Sequence, residues 1–226
     1  RARAGRGGAK MVTAMPEPEG FSRLRAIARP FERRLYLAAL LTRALEPRGI
    51  RPIVVGGNAL EFYTLGGYAT GDLDLIVGAV EPVALLLQRW GFERAGRHWY
   101  SESLDLAVEI PGGSLAGDLA RLTVVEVEGL AAYVIGVEDL VIDRLNAYVH
   151  WRSEEDGRWA QELLILHETT VDWDYLTARA REAGVLEAPL GARGLPSGHG
   201  VACPPGRRDF PRDRNRARLG ETGTEA

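Results

Sequence analysis

The chain has almost no lysine and almost no cysteine. Lys10 is the only lysine and Cys203 the only cysteine among 226 residues. One cysteine excludes an internal disulfide framework and a cysteine-built zinc site. Cys203 has no local histidine or aspartate framework and is not read as a nucleophile. No apolar run approaches the ~20 residues that span a bilayer. The longest candidate, Leu35 to Leu41, is short and flanked by arginines. The first ten residues are basic but no apolar segment follows, so no secretory signal is expected. The chain is therefore expected to be cytoplasmic, with no membrane partner. No Gly-x-Gly-x-x-Gly follows a strand pattern, which disfavours a dinucleotide enzyme.

Charge is unevenly spread. Residues 1–10 hold four basic groups and no acid, and residues 191–226 hold seven arginines and four acids. Residues 11–190 carry 17 basic and 27 acidic groups, a net of −10. An acidic middle is a poor footprint for general nucleic-acid binding. It suits a site that gathers carboxylates around a divalent cation.

Periodicity divides the chain. Residues 1–19 read as a disordered leader, 20–135 as an α+β core and 136–188 as a helical segment. Residues 189–226, rich in Gly, Pro and Arg, read as a largely disordered tail. Leu24, Ile27, Phe31, Leu35, Ala38, Leu41 and Leu45 recur at helical spacing, and Pro30 splits them into two helices. Ile53 to Val55 reads as a strand ending in Gly56-Gly57, with Asn58 as the cap of a following helix. Asp72 to Val77 reads as a strand, and a helix runs from Pro82 through Trp90. Further strands are expected around 98–100, 104–110, 121–127 and 133–135, and helices from Val137 onward.

The chemistry is concentrated in Gly56-Gly57-Asn58-Ala59 and Thr70-Gly71-Asp72-Leu73-Asp74. A strand ending in Gly-Gly before a helix lets backbone amides approach an anion closely. Alternate strand residues share a face, so Asp72 and Asp74 point the same way, about 7 Å apart. Two like charges on one face repel unless a cation sits between them. Mg²⁺ prefers one or two carboxylates plus substrate phosphates. In Leu104-Asp105-Leu106-Ala107-Val108-Glu109-Ile110, Asp105 and Glu109 share the polar face. Asp105 is the preferred third carboxylate and Glu109 the fallback, as metal ligand, general base or both. Thr70 can bond the loop or a phosphate, and local backbone capping is the competing reading. His98, His150 and His167 lack metal-ligand spacing and read as structural or surface residues. The tryptophans read as packing residues, with Trp99 and Trp151 those to inspect near a cleft.

Gly-Gly, then Asp-x-Asp some fifteen residues on, then a later strand acid, resembles the nucleotidyltransferase superfamily of the DNA polymerase beta type. More narrowly, Gly56-Gly57-Asn58-Ala59, Thr70-x-Asp72-Leu73-Asp74 and Glu138-Asp139-Leu140 resemble AbiEii-type toxins and their minimal relatives. The resemblance covers roughly residues 50–165. It implies a mixed sheet with flanking helices, an NTP donor and two-metal chemistry with Mg²⁺, or with Mn²⁺ in its place. It implies Asp72, Asp74 and Asp105 as metal and catalytic residues. Gly56, Gly57, Asn58, Thr70 and Arg144 would contact the nucleotide. The acceptor would be a hydroxyl on RNA such as tRNA, on protein or on a small molecule, and a toxin role would add a cognate antitoxin. Tyr68 stands where related sequences often place arginine, and Arg144 where they often place lysine. These departures carry the alternative expectation, a catalytically inactive nucleotide-binding or protein-interaction module on the same fold.

Overall fold

The computed structural model describes residues 18–188 and the backbone strand at 216–219. Its elements in chain order are α1 (Phe21–Ala26), α2 (Pro30–Leu45), β1 (Ile53–Val54), α3 (Gly56–Tyr63), β2 (Asp72–Ile76) and α4 (Val80–Arg89). Then come β3 (Glu93–Ala95), β4 (His98–Ser101), β5 (Leu106–Glu109), β6 (Thr123–Val127) and β7 (Leu130–Val134). The helices α5 (Val137–Trp151), α6 (Glu154–Leu166) and α7 (Trp173–Glu182) follow, and β8 is Arg216–Leu219.

The strands form one mixed sheet in the order β3-β4-β5-β2-β1-β7-β6-β8. β1 pairs antiparallel with β2 and parallel with β7, and β2 pairs parallel with β5. The expected α+β class with a mixed sheet is therefore observed. Pro30 opens α2 at a position where its missing N–H costs nothing. Leu35, Leu37, Leu41 and Leu45 of α2 are fully buried. Each contributes about 1.5–3 kcal/mol relative to exposure. α2 packs on β2, β6 and β7, and α4 on α2.

The helical period expected from Val137 begins there as α5. β3 was not expected from the sequence: Glu93, Arg94 and Ala95 are all exposed, so no apolar alternation marks them. The strand expected over 104–110 begins later, at Leu106. Most of the expected leader and tail lies outside the described residues. Within the tail, Arg216–Leu219 pairs parallel with β6. No helix among the described residues is long and apolar enough to cross a membrane.

Candidate active site

β2 carries two jobs on its two faces. Leu73 and Leu75 are fully buried, while Asp72, Asp74 and Ile76 are half-buried on the other side. β5 alternates in step: Leu106 and Val108 point into the core, and Ala107 and Glu109 share the face of the aspartates. β4 continues it with His98 and Tyr100, while Trp99 is buried behind. The register sets Asp74 beside Glu109, and Glu109 beside His98. Asp72, His98 and Glu109 thus place one ligand atom each within 4.8 Å of one another.

Asp105 is not on this face. It precedes β5 in a left-handed conformation, φ 49°, outside the strand. Its carboxylate is 84% exposed and lies 3.9 Å from Arg33. Sequence parity assigned Asp105 and Glu109 to one face, but parity holds only while the chain stays extended. The third carboxylate beside Asp72 and Asp74 is Glu109.

The glycine pair is demanded by side chains already in place. Gly56 has φ 56°, and a Cβ there would lie 2.5 Å from Asp74 Oδ2. A Cβ on Gly57 would press on Thr70 and Tyr68. The Gly57 amide donates to Asp74 Oδ2 at 3.0 Å, and the Val55 amide to the Asp74 carbonyl at 3.0 Å. So the start of α3 is spent first on fixing Asp74.

Asn58 does not cap α3. Val55 holds the cap position, and Asn58 is completely buried inside the first turn. Its Nδ2 donates to the Asp72 carbonyl, and its Oδ1 accepts from Arg34 Nε at 2.8 Å. Arg34 Nη2 in turn reaches Glu61 Oε2 at 2.6 Å. Asn58 thereby ties α2, α3 and the start of β2 together. Thr70 Oγ1 donates to Asp72 Oδ1 at 3.0 Å, orienting that carboxylate. Neither backbone capping nor a phosphate contact is needed to account for it.

Arg144 is held by two acids. Nη1 donates to Asp156 Oδ1 at 2.7 Å and Nη2 to Asp143 Oδ2 at 2.5 Å. Its charge still reaches Asp74 and Tyr68, but the fork expected for phosphate is engaged on α5 and α6. Asp156, in the first turn of α6, is one jaw of that clamp. Tyr68 packs edge-on against Trp159, with ring centroids 5.2 Å apart. Burial, then Glu155, raises its proton affinity. Asp139 is buried, and accepts from the Asp118 amide and the Tyr175 hydroxyl. It anchors a loop and α7 and takes no part in the site.

The electrostatics of the open face suit a divalent cation. Asp74 is pushed up to about 6, first by burial and then by the charge of Asp72, with Glu109 adding. The Gly57 amide and Arg144 oppose this without cancelling it. An oxygen-rich set on one face, repelling itself in this way, is the donor chemistry of a hard divalent cation. Arg97 Nε holds Glu109 Oε1 at 2.8 Å, which partly offsets the charge from an exposed position.

His98, read from sequence as a structural or surface residue, stands beside Glu109 on this face. Only the β4–β5 register could have found it, because His98 and Glu109 are eleven residues apart with no motif spacing. Trp151, at the end of α5, is 78% exposed. A cavity of about 830 Å³ lies at the other end of β1 and β2, lined by Arg51, Ile53, Ile76 and Tyr133. Asp72, Asp74 and Glu109 do not line it.

No family model matches the chain, and no curated protein matches it. Solved structures do. An antigenic nucleotidyltransferase-like protein from Paracoccidioides brasiliensis is similar at 13% identity and a TM-score of 0.47. The match covers 75% of this chain and 96% of that one. The solution structure of the antibiotic-resistance factor ANT(2'')-Ia is similar at 15% identity and a TM-score of 0.40, covering 66% and 92%.

Proposed function

We propose that the chain is a Mg²⁺-dependent nucleotidyltransferase that moves a nucleoside monophosphate from an NTP to a hydroxyl acceptor. The observation that carries this is the convergence of Asp72, Asp74 and Glu109 on one open sheet face, with Asp74 driven up by burial and then by the charges of Asp72 and Glu109. The motif resemblance supports the reaction class, and the shared strand face supports these residues as its site.

Asp72, Asp74 and Glu109 would hold the cation, which when bound supplies charge neutralisation for the triphosphate and the attacking oxygen. Thr70 fixes the Asp72 carboxylate, and Gly57 fixes Asp74. Asn58 fixes the backbone at Asp72 from below. These bonds hold the carboxylates at set positions before substrate arrives, which is where such sites gain most of their rate. In the transfer, the acceptor oxygen bonds the α-phosphorus and the bond to pyrophosphate breaks. The hydroxyl proton leaves to a carboxylate of this face or to water.

The acceptor class stays open between RNA, tRNA included, protein and small molecule. A toxin role is the biological form of the same chemistry. It predicts growth arrest on expression, relieved by a cognate antitoxin, and harmless expression would remove it. The direct test incubates the protein with each labelled NTP, Mg²⁺ and cell extract. Labelled acceptor with wild type and none with Asp72→Asn supports transfer. If both bind Mg²⁺–NTP equally and neither labels anything, the proposal fails.

A second reading, an inactive nucleotide-binding or protein-interaction module, is favoured by one observation. Arg144 is already clamped by Asp143 and Asp156, and no lysine stands among the described residues to replace it. Calorimetry decides: nucleotide binding without turnover supports this reading, and turnover with any acceptor removes it.

A further inference from the structure

The carboxylate face has a nitrogen donor that the proposed magnesium chemistry does not require. His98 stands on β4 directly across from Glu109. Its Nδ1 lies 3.7 Å from Glu109 Oε2. That oxygen is the one left over, since Arg97 occupies Oε1. The third corner is an Asp72 oxygen, and all three donor atoms lie within 4.8 Å of one another. They come from three adjacent strands, β2, β5 and β4, whose ladder bonds hold the spacing.

We propose that His98 is a nitrogen ligand in the divalent-cation site, and that it makes the site prefer Mn²⁺ over Mg²⁺. The inference rests on the metal-dependent reading of the same face. Mg²⁺ selects oxygen donors in near-ideal octahedral geometry, whereas imidazole suits first-row transition metals. Two ligands at right angles on one small cation sit about 3 Å apart, given ligand bonds of about 2.1 Å. Each donor here therefore needs an adjustment of about an ångström. His98 is half-exposed and free to make it. Glu109 is more enclosed, and supplies the fixed corner.

The competing account makes His98 a surface partner of Glu109 and nothing more. Electron spin echo measurements on the full chain with Mn²⁺ separate the two. A ligating imidazole imposes ¹⁴N modulation on the manganese signal, and a nearby non-ligand does not. The expected result is ¹⁴N modulation in wild type that is lost in His98→Gln. Mn²⁺ affinity should fall about tenfold or more, while Mg²⁺ affinity changes less than about threefold. Mn²⁺ bound without ¹⁴N modulation, or with modulation that survives in His98→Gln, overturns the role of His98 and leaves the carboxylate site standing. Binding of neither cation overturns both the role of His98 and the metal-dependent reading. Unchanged far-ultraviolet circular dichroism in His98→Gln shows that the readout reports the site and not the fold.

Discussion

Gly56 leaves empty the space that Asp74 occupies, since a Cβ there would meet Asp74 Oδ2 at 2.5 Å. Gly56→Ala must therefore move the carboxylate or the turn, and must also hold alanine at φ 56°. The expected cost is about 1–3 kcal/mol in urea unfolding. Nucleotide transfer should fall about 100-fold, because a carboxylate displaced by an ångström no longer meets the reacting group. A variant with wild-type transfer would show that Asp74 does not need its present position.

Glu109 and Asp105 make opposite predictions. Glu109→Gln should lower transfer by about 10²–10³-fold, the usual scale for losing one charge aimed at a reacting centre. Asp105→Asn should change it less than about twofold, because that carboxylate is exposed toward Arg33. Initial rates at saturating NTP for the two variants compare them directly. The reverse order would return the third carboxylate to Asp105.

Arg34 is 4% exposed and satisfies both Asn58 and Glu61. Arg34→Met would leave Glu61 as a buried charge with its strongest partner gone. The expected loss is about 3–5 kcal/mol, seen as a lower urea midpoint at unchanged slope. Arg34→Met with Glu61→Leu removes both charges and should recover much of it. No recovery would mean that the guanidinium acts chiefly through Asn58.

His167 gives a pH dependence remote from the carboxylates. Burial holds its pKa below the ordinary 6.5, against the opposing pull of the Tyr63 carbonyl and Glu138. Its Nε2 lies 2.9 Å from the Tyr63 carbonyl. The unfolded chain therefore binds this proton more readily than the folded one. Stability from this group is complete above about pH 6.5 and declines as pH falls below it. Urea midpoints at pH 7 and pH 5, both in chelator, should drop less in His167→Gln than in wild type. An equal drop in both would assign the acid sensitivity elsewhere.

Much of the site was legible because strand parity is a local property. Asp72 and Asp74 sit where alternation puts them, with Leu73 and Leu75 behind. Alternation could not choose between Asp105 and Glu109, since both have the same parity. The choice was made by one left-handed residue ahead of β5, a break that no local pattern announces. Asn58 looked like a cap because asparagine before a helix usually is one. Its burial against Arg34 comes from a partner on α2, 24 residues away, which no single segment encodes. His98 was hidden for the same reason, since its neighbours come from strand pairing.

The two-sidedness of β2 has a consequence for how this chain can change. The carboxylates and the leucines behind them are interleaved on four consecutive residues. Inserting or deleting one residue would invert both sets together, sending acids inward and leucines outward. Point substitutions can tune the reactive face without touching the interior, but a frame shift of one residue within the strand would lose chemistry and folding in the same step.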